Sequence, residues 1–215
     1  MSPLTTSEWV ALVIFASAMS FTPGPNTTLS AALAANGGMA AAWRFVLAVP
    51  VGWGLLLTLS ATGAGAVMQW HPSVRTLLQV LGLLYLVFLA MKLWGTAALP
   101  SVPEVGDHGI DDPEFRRPVW RVGFVQGVLL QFVNIKAWMN AWVISSAWIA
   151  LGQETTRRLL WVLPVMMLYG LLSNVSYALL GAALRGWLSQ GTRLQAFNRT
   201  MAAALILTAC WMMTL

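Results

Sequence analysis

Hydrophobic positions run along this chain in blocks far longer than a soluble helix needs, with polar residues gathered between them. The first block, residues 9–43 between Glu8 and Arg44, holds 35 residues without one Asp, Glu, Lys or Arg. A helix that crosses a bilayer needs about 20 apolar residues. A membrane barrel would show short alternating segments instead. These blocks are rich in Leu, Ala, Val and Met and do not alternate, so the pattern predicts α-helices. Six spans are expected, at residues 9–35, 42–68, 74–94, 121–151, 159–184 and 194–214. Trp9, Trp43, Trp70, Trp94, Trp120, Trp148, Trp161 and Trp187 fall near their ends, where an aromatic belt belongs. Gly37-Gly38, His71-Pro72 and Gly152 supply short turns. The expected fold class is an all-α integral membrane protein, a six-helix transmembrane bundle.

The polar interruption that matters most is Thr22-Pro23-Gly24-Pro25-Asn26, halfway along the first span. Each proline lacks an N–H and clashes with the carbonyl four residues back, so the carbonyls of Met19 and Phe21 lose their helical partners. Unpaired backbone in hydrocarbon is costly and survives only inside protein or beside a polar cavity. Discontinuous helices of this kind form the substrate sites of many secondary transporters. The first helix is therefore expected to be broken at 22–26.

The one long connection, residues 95–120, carries Pro100, Pro103, Pro113 and Pro118 and five of the seven acidic residues, Glu104, Asp107, Asp111, Asp112 and Glu114. That composition suits a solvated linker, with a cation site as the weaker alternative. It divides the chain into residues 1–95, a linker 96–120, and residues 121–215, each flanking part holding three expected spans. Three is odd, so duplicated halves would be inverted with respect to each other, as in many transporters. Each half opens on a span that is broken or polar at mid-depth. Each also closes on an Arg-led span, "RTLLQVLGLLYL" and "RLQAFNRTMAAALIL". A 3+3 inverted repeat is the expectation.

Composition narrows the class further. The chain is 58% hydrophobic and 9% charged, against roughly 25% charged residues in a soluble domain. Its net charge of +5 comes from Lys and Arg scattered at span ends, so it reads as membrane topology and not as nucleic-acid binding. Arg44, Lys92, Arg116, Arg117, Arg121, Arg185 and Arg193 lie on one side, and Arg75, Arg157 and Arg158 on the other. The excess places the long linker in the cytoplasm and both termini outside. No Lys or Arg precedes Arg44, so a secretory signal is not expected. Cys210 is the single cysteine, which excludes a disulfide within the chain.

Lys136 is the most unusual charge. It lies near the middle of the fourth span, about 22 Å from either end at 1.5 Å per residue, too deep for its stem to snorkel comfortably. An ionisable group at that depth is a functional hypothesis by default, and a structural cation held by helix-end carbonyls is the alternative. Gln131 and Asn134 lie beside it and Asn140 one turn beyond, placed to orient the ammonium. The half-helix that starts near Asn26 would offer the N–H groups of Thr27, Thr28 and Leu29 and the positive end of its dipole. With Lys136 that end would hold a carboxylate, while the carbonyls of Met19 and Phe21 would hold an ammonium. A zwitterion fits both.

Asn174 and Tyr177, three apart on one face of the fifth span, are candidates for the cavity wall. Ser173, Ser176, Thr58, Ser60 and Thr62 are expected to make interhelical hydrogen bonds, and Trp138 and Trp142 to pack. No span contains Asp or Glu, and His71 and His108 fall in turns or loops. Hydrolase, metalloprotease and metal-transport readings lack their ligands, and no cofactor is expected. If protons drive the cycle, Lys136 is the group that would titrate.

The segment "SFTPGPNTTLSAALAANGGMAAAWRFVLAVPVGWGLLL" resembles the opening of the lysine exporter and threonine/homoserine exporter (LysE/RhtB) family, with its TPGPN motif, glycine turn and glycine-spaced second span. "LLQVLGLLYLVFLAMKLW" is similar to that family's third span and "FVQGVLLQFVNIKAWMNA" to its fourth. The resemblance covers nearly the whole chain. It implies an inner-membrane amino-acid exporter of six spans, coupled to the proton gradient. Pro23, Gly24, Pro25, Asn26, Asn134 and Lys136 match the family's motif positions. Ile135 departs from them, standing where the family has proline, so the fourth helix is less obviously broken than the first. A divergent substrate, or a helix opened by Asn134 and Lys136 alone, would each account for the departure.

The expected activity is secondary active export of a neutral amino acid or similar small zwitterion by alternating access, with the lipid bilayer and protons as the other partners. Without an acidic residue in the spans, lysine or arginine is the less fitting cargo. A homo-oligomer is compatible with the pattern. A passive small-solute channel and a non-transporting membrane scaffold are the alternatives. The channel lacks a visible filter or ring of like charges.

Overall fold

The computed structural model describes residues 2–64, 71–96, 122–150 and 154–214, and every regular element among them is helical. In chain order these are α1 (Thr6–Phe21), α2 (Pro25–Gly37), α3 (Met39–Leu59), α4 (Pro72–Trp94), α5 (Phe124–Val133), α6 (Ile135–Ile144), α7 (Thr155–Leu188) and α8 (Arg193–Met212). Wide helical turns, Ser60–Ala64 and Ser145–Ile149, extend α3 and α6. Three helical stretches, Met39–Gly63, Ser73–Trp94 and Thr155–Leu188, are long and apolar enough to cross a membrane unaided. The acidic linker from residue 97, with Arg116, Arg117, Arg121, Trp120 and His108, lies outside the described residues, as do Trp70 and the turn at Gly152.

The first break falls where proline chemistry puts it. α1 ends at Phe21, Thr22 and Gly24 are extended, and Pro25 opens α2, since a first-turn proline gives up no needed N–H and arrives with helical φ. Gly38, at φ 73°, makes the turn into α3.

The second break has no proline and forms nonetheless. Asn134 is extended (φ −89°, ψ 100°) between α5 and α6, and its N–H turns back to the Gln131 carbonyl at 3.3 Å. The freed Phe132 carbonyl accepts the Trp138 indole N–H at 2.8 Å. The Val133 carbonyl abuts α4 so closely that a Cβ on Gly82 would stand 2.1 Å from its oxygen. Tertiary partners thus do here what proline does in the first break.

α7 runs alongside both pieces of the first broken helix. At one end Arg158 Nη1 donates to Glu8 Oε1 at 2.8 Å and to the Trp148 carbonyl at 3.2 Å. The Trp148 indole donates to the Glu8 carbonyl at 3.0 Å, and Trp9 meets Trp161 edge-on at 6.2 Å. At the other end Asn36 and Asn198 exchange amide hydrogen bonds of 2.7 and 2.8 Å, and Ala35 packs with Leu188 and Leu194. α3 lies beside α5 in the same direction, Phe45 and Ala48 at Gly127 and then Gly52 at Val128. α4 and α8 run opposite ways, since Gln79 donates to the Met212 carbonyl while Arg199 covers Trp94.

The two half-helices of the first span differ in surroundings. α1 buries only Leu12 and Ala16, whereas α2 buries Pro25 and everything from Thr27 to Asn36.

Glu8 sits in the first turn of α1, ahead of the apolar run, where it also accepts the Thr5 N–H at 2.7 Å. The hydrogen bond from Arg158, then that from Thr5, pulls its carboxyl from the usual 4.5 down to about 2. A lowered folded value means stability that is complete above the unfolded pKa and lost as pH falls through the folded one. The clamp's contribution should therefore be full above about pH 4.5 and vanish toward pH 2. Thermal midpoints in detergent across that range should fall more for the wild type than for Glu8→Gln; parallel curves would count against the clamp.

Candidate functional site

Both breaks open on one cavity of about 80 Å³, room for several water molecules. Of the residues singled out from the sequence, Met19, Thr22, Gly24, Pro25, Asn26, Thr27, Asn134, Lys136 and Asn140 line it. α1 contributes Met19 and Ser20, α3 contributes Val49, Pro50 and Trp53, and α7 contributes Met166 and Gly170.

Lys136, half-buried in the first turn of α6, reaches across to the end of α1. Its Nζ donates to the Thr22 carbonyl at 3.3 Å and lies 3.5 Å from that of Pro23. Charge-assisted bonds usually run about 2.7–2.9 Å, so these are loose and an ammonium with three donors keeps capacity to spare. Gly24 gives the ammonium room, since a Cβ there would stand 3.3 Å from Nζ, a tight contact. The Lys136 ammonium therefore occupies the negative end of α1, where the sequence suggested a bound ammonium. Its hydrogen bonds go to those carbonyls and not to Asn140.

Two further carbonyls at the end of α1 are taken by α7: the Ser173 hydroxyl donates to that of Ser20, and the Tyr177 hydroxyl donates to that of Phe21 at 3.0 Å. Tyr177 thus caps the broken helix instead of lining the cavity. Asn174 is buried between helices, accepting from Ser30 Oγ at 2.8 Å and donating to the Gly170 carbonyl at 2.8 Å. Both were expected on the cavity wall. The three-residue spacing placed them on one face correctly but could not say what lay opposite.

At the start of α2 the free donors are shifted by one residue. Because Pro25 is the first helical residue, the Thr28 N–H already bonds the Gly24 carbonyl at 2.9 Å, and Leu29 follows in the ladder. Thr28 is buried and does not line the cavity. Asn26 and Thr27 are left with first-turn N–H groups. Thr27 Oγ1 accepts the Gly24 N–H at 2.9 Å. Pro23 lies at the break without lining the cavity, offering only its carbonyl to Lys136.

Asn26 and Gln131 exchange a pair of amide hydrogen bonds, 2.8 and 3.1 Å, joining the two breaks directly. Asn134 stands in the N-cap position of α6, yet its side chain makes no capping bond. Its Oδ1 is buried and without a hydrogen-bond partner among the described residues. Such an acceptor costs about 1–3 kcal/mol, and the residue that carries it lines a cavity that contains a cation.

The arrangement has one chemical sense. The helix N-termini at the breaks are offset in part by the C-terminal end of α1, so the net positive charge of the cavity comes from the Lys136 ammonium. No Asp, Glu or His lines it among the described residues, and Asn134 on its wall carries a buried acceptor without a partner. The sequence did not single out Val49, Pro50, Trp53, Met166 or Gly170. Pro50, a proline inside an apolar span, was the one available signal.

Comparison with known proteins bears on the same residues. Cysteine/O-acetylserine efflux proteins of Salmonella choleraesuis (strain SC-B67), Salmonella typhi and Salmonella typhimurium are each 29% identical over 185 residues, 84% of this chain and 84% of theirs. No solved structure matches the chain. The family model of the LysE type translocators matches residues 17–215, a range that takes in both breaks, Lys136 and the whole cavity, and the chain belongs to that family.

Proposed function

We propose that this translocator exports a small neutral amino acid across the bacterial inner membrane by alternating access. The carrying observation is the cavity at the meeting of two broken helices, with a loosely held ammonium at its wall and a lining residue, Asn134, whose buried side-chain oxygen has no partner among the described residues. A cargo carboxylate would sit between Lys136 and the first turn of α2, and its ammonium would supply the donor that Asn134 Oδ1 lacks. A cationic side chain would find no counter-charge. The cysteine/O-acetylserine names of the relatives agree with a neutral cargo. Among the described residues Lys136 is the one ionisable side chain at the cavity, which makes it the group to carry a coupled proton in an antiport cycle.

The parallel pairing of α1–α2 with α7 and of α3 with α5–α6, beside the antiparallel α4 and α8, supports six spans arranged as an inverted repeat. The charge count along the chain supports termini outside and the linker inside.

Asn134→Leu gives the test. In proteoliposomes preloaded with radiolabelled serine, cysteine, O-acetylserine or lysine, the wild type should show saturable efflux of the neutral amino acids, faster against an opposing proton gradient. Asn134→Leu should cut that efflux by about tenfold or more while raising the thermal midpoint, because removing an unsatisfied buried acceptor relieves its penalty. Lysine leaving as fast as serine, or Asn134→Leu transporting normally, would overturn the proposal.

A further inference from the structure

Gly170 is a glycine that neither the backbone nor the packing of α7 requires. Glycine weakens a helix interior relative to alanine, and at four other helix positions close packing explains it; Gly186 shares the open surroundings of Gly170 but does not line the cavity. A Cβ on Gly52, Gly82, Gly127 or Gly181 would fall within 2.8 Å of a neighbouring atom, as expected where membrane helices meet. At Gly170 a Cβ would meet nothing within 4 Å. Its φ is not positive, so no left-handed conformation demands glycine, and α7 continues through it without a break.

What Gly170 does have is a place on the cavity wall. Met166, one turn earlier, lines the same cavity, as do Met19, Val49 and Trp53. Among these large apolar side chains the bare Gly170 Cα leaves a notch. The notch is held in place, since Asn174 donates to the Gly170 carbonyl at 2.8 Å while accepting from Ser30 on α2. That tether ties this turn of α7 to the buried half-helix that begins at the cavity, and it argues against a hinge at Gly170.

We propose that Gly170 sets the side-chain size limit of the cargo. This rests on the amino-acid export reading. The cargo's charged groups engage Lys136, the start of α2 and Asn134, and its side chain lies along the apolar wall, in the space that a residue larger than glycine would fill.

The experiment is a series at one position, Gly170→Ala and Gly170→Val, in proteoliposomes preloaded with an equimolar mixture of labelled alanine, serine, threonine and O-acetylserine. One methylene in a tight pocket changes selectivity by about 10- to 200-fold. Gly170→Ala should keep alanine efflux within about twofold of wild type and lower threonine and O-acetylserine by about tenfold. Gly170→Val should restrict the protein further toward alanine. Both should melt no lower than the wild type, because the added carbons enter open space and replace a helix-weakening residue. Equal loss across all four cargoes, or an unchanged ratio between them, overturns the size-limit role while leaving export intact. No efflux of any amino acid by the wild type overturns both.

Discussion

Lys136→Met lowers amino-acid efflux by about 10- to 100-fold while the protein stays folded. The magnitude follows from removing charge-assisted hydrogen bonds to a bound carboxylate, worth about 1.5–3 kcal/mol, if they are made in the rate-limiting state. Methionine keeps an unbranched apolar stem of similar reach, so packing beside Gly24 and Ala137 is retained. Thr22, whose carbonyl Lys136 serves, lines the cavity, which has room for a water molecule to replace the ammonium there. Initial efflux rates over a range of internal cargo concentrations, with melting curves on the same preparations, check both halves. Unchanged rates would remove Lys136 from the site. A collapsed melting curve would make it the structural cation that its depth also allowed.

Gly181→Ala should have the largest effect on stability. A Cβ there would stand 2.2 Å from the Ala31 carbonyl oxygen, 2.9 Å from its carbon and 3.0 Å from its Cα. All three are backbone atoms, so no rotamer change relieves the clash. α2 is enclosed from Thr27 to Asn36 and has nowhere to retreat. Overpacking typically costs about 1–3 kcal/mol, and forcing two helix backbones apart belongs at or above the upper end. Gly186→Ala is the control in the same helix, since a Cβ there meets nothing within 4 Å. Thermal midpoints in detergent should drop sharply for Gly181→Ala and hold or rise for Gly186→Ala. Equal midpoints would mean that α2 and α7 are not in backbone contact.

Much of the architecture was legible because membrane constraints act locally. Long uncharged blocks place the helices within a few residues, and two prolines end α1 at the position their missing N–H groups dictate. Lys136 announced itself by depth alone. The second break was harder to read, because nothing between Val133 and Lys136 forbids a helix. It is held open by Trp138 from the next turn and by the bare backbone at Gly82, some fifty residues upstream. Asn174 and Tyr177 were put on the right face but assigned the wrong neighbour, since periodicity reports direction and not what stands across the gap. The apolar wall from α3 was invisible for a different reason: Val49 and Trp53 in a cavity look like any core residue in the sequence. Thr28 shows a subtler limit, where a one-residue difference in the helix start moved a donor from the cavity into the ladder.

The unequal surroundings of α1 and α2 reach beyond the protein itself. Val10, Val13, Ile14 and Phe21 turn outward from α1, a face that a bilayer would cover with acyl chains, while its continuation is buried from Thr27 to Asn36. A change in bilayer thickness or stiffness therefore acts on one half of the interrupted helix and leaves the other where it was. The strain between them can only be taken up at Thr22–Gly24, beside the Lys136 ammonium. Under the proposed cargo site, efflux measured in proteoliposomes of different acyl-chain length is expected to change with the lipid, because membrane and cargo would then act on the same break.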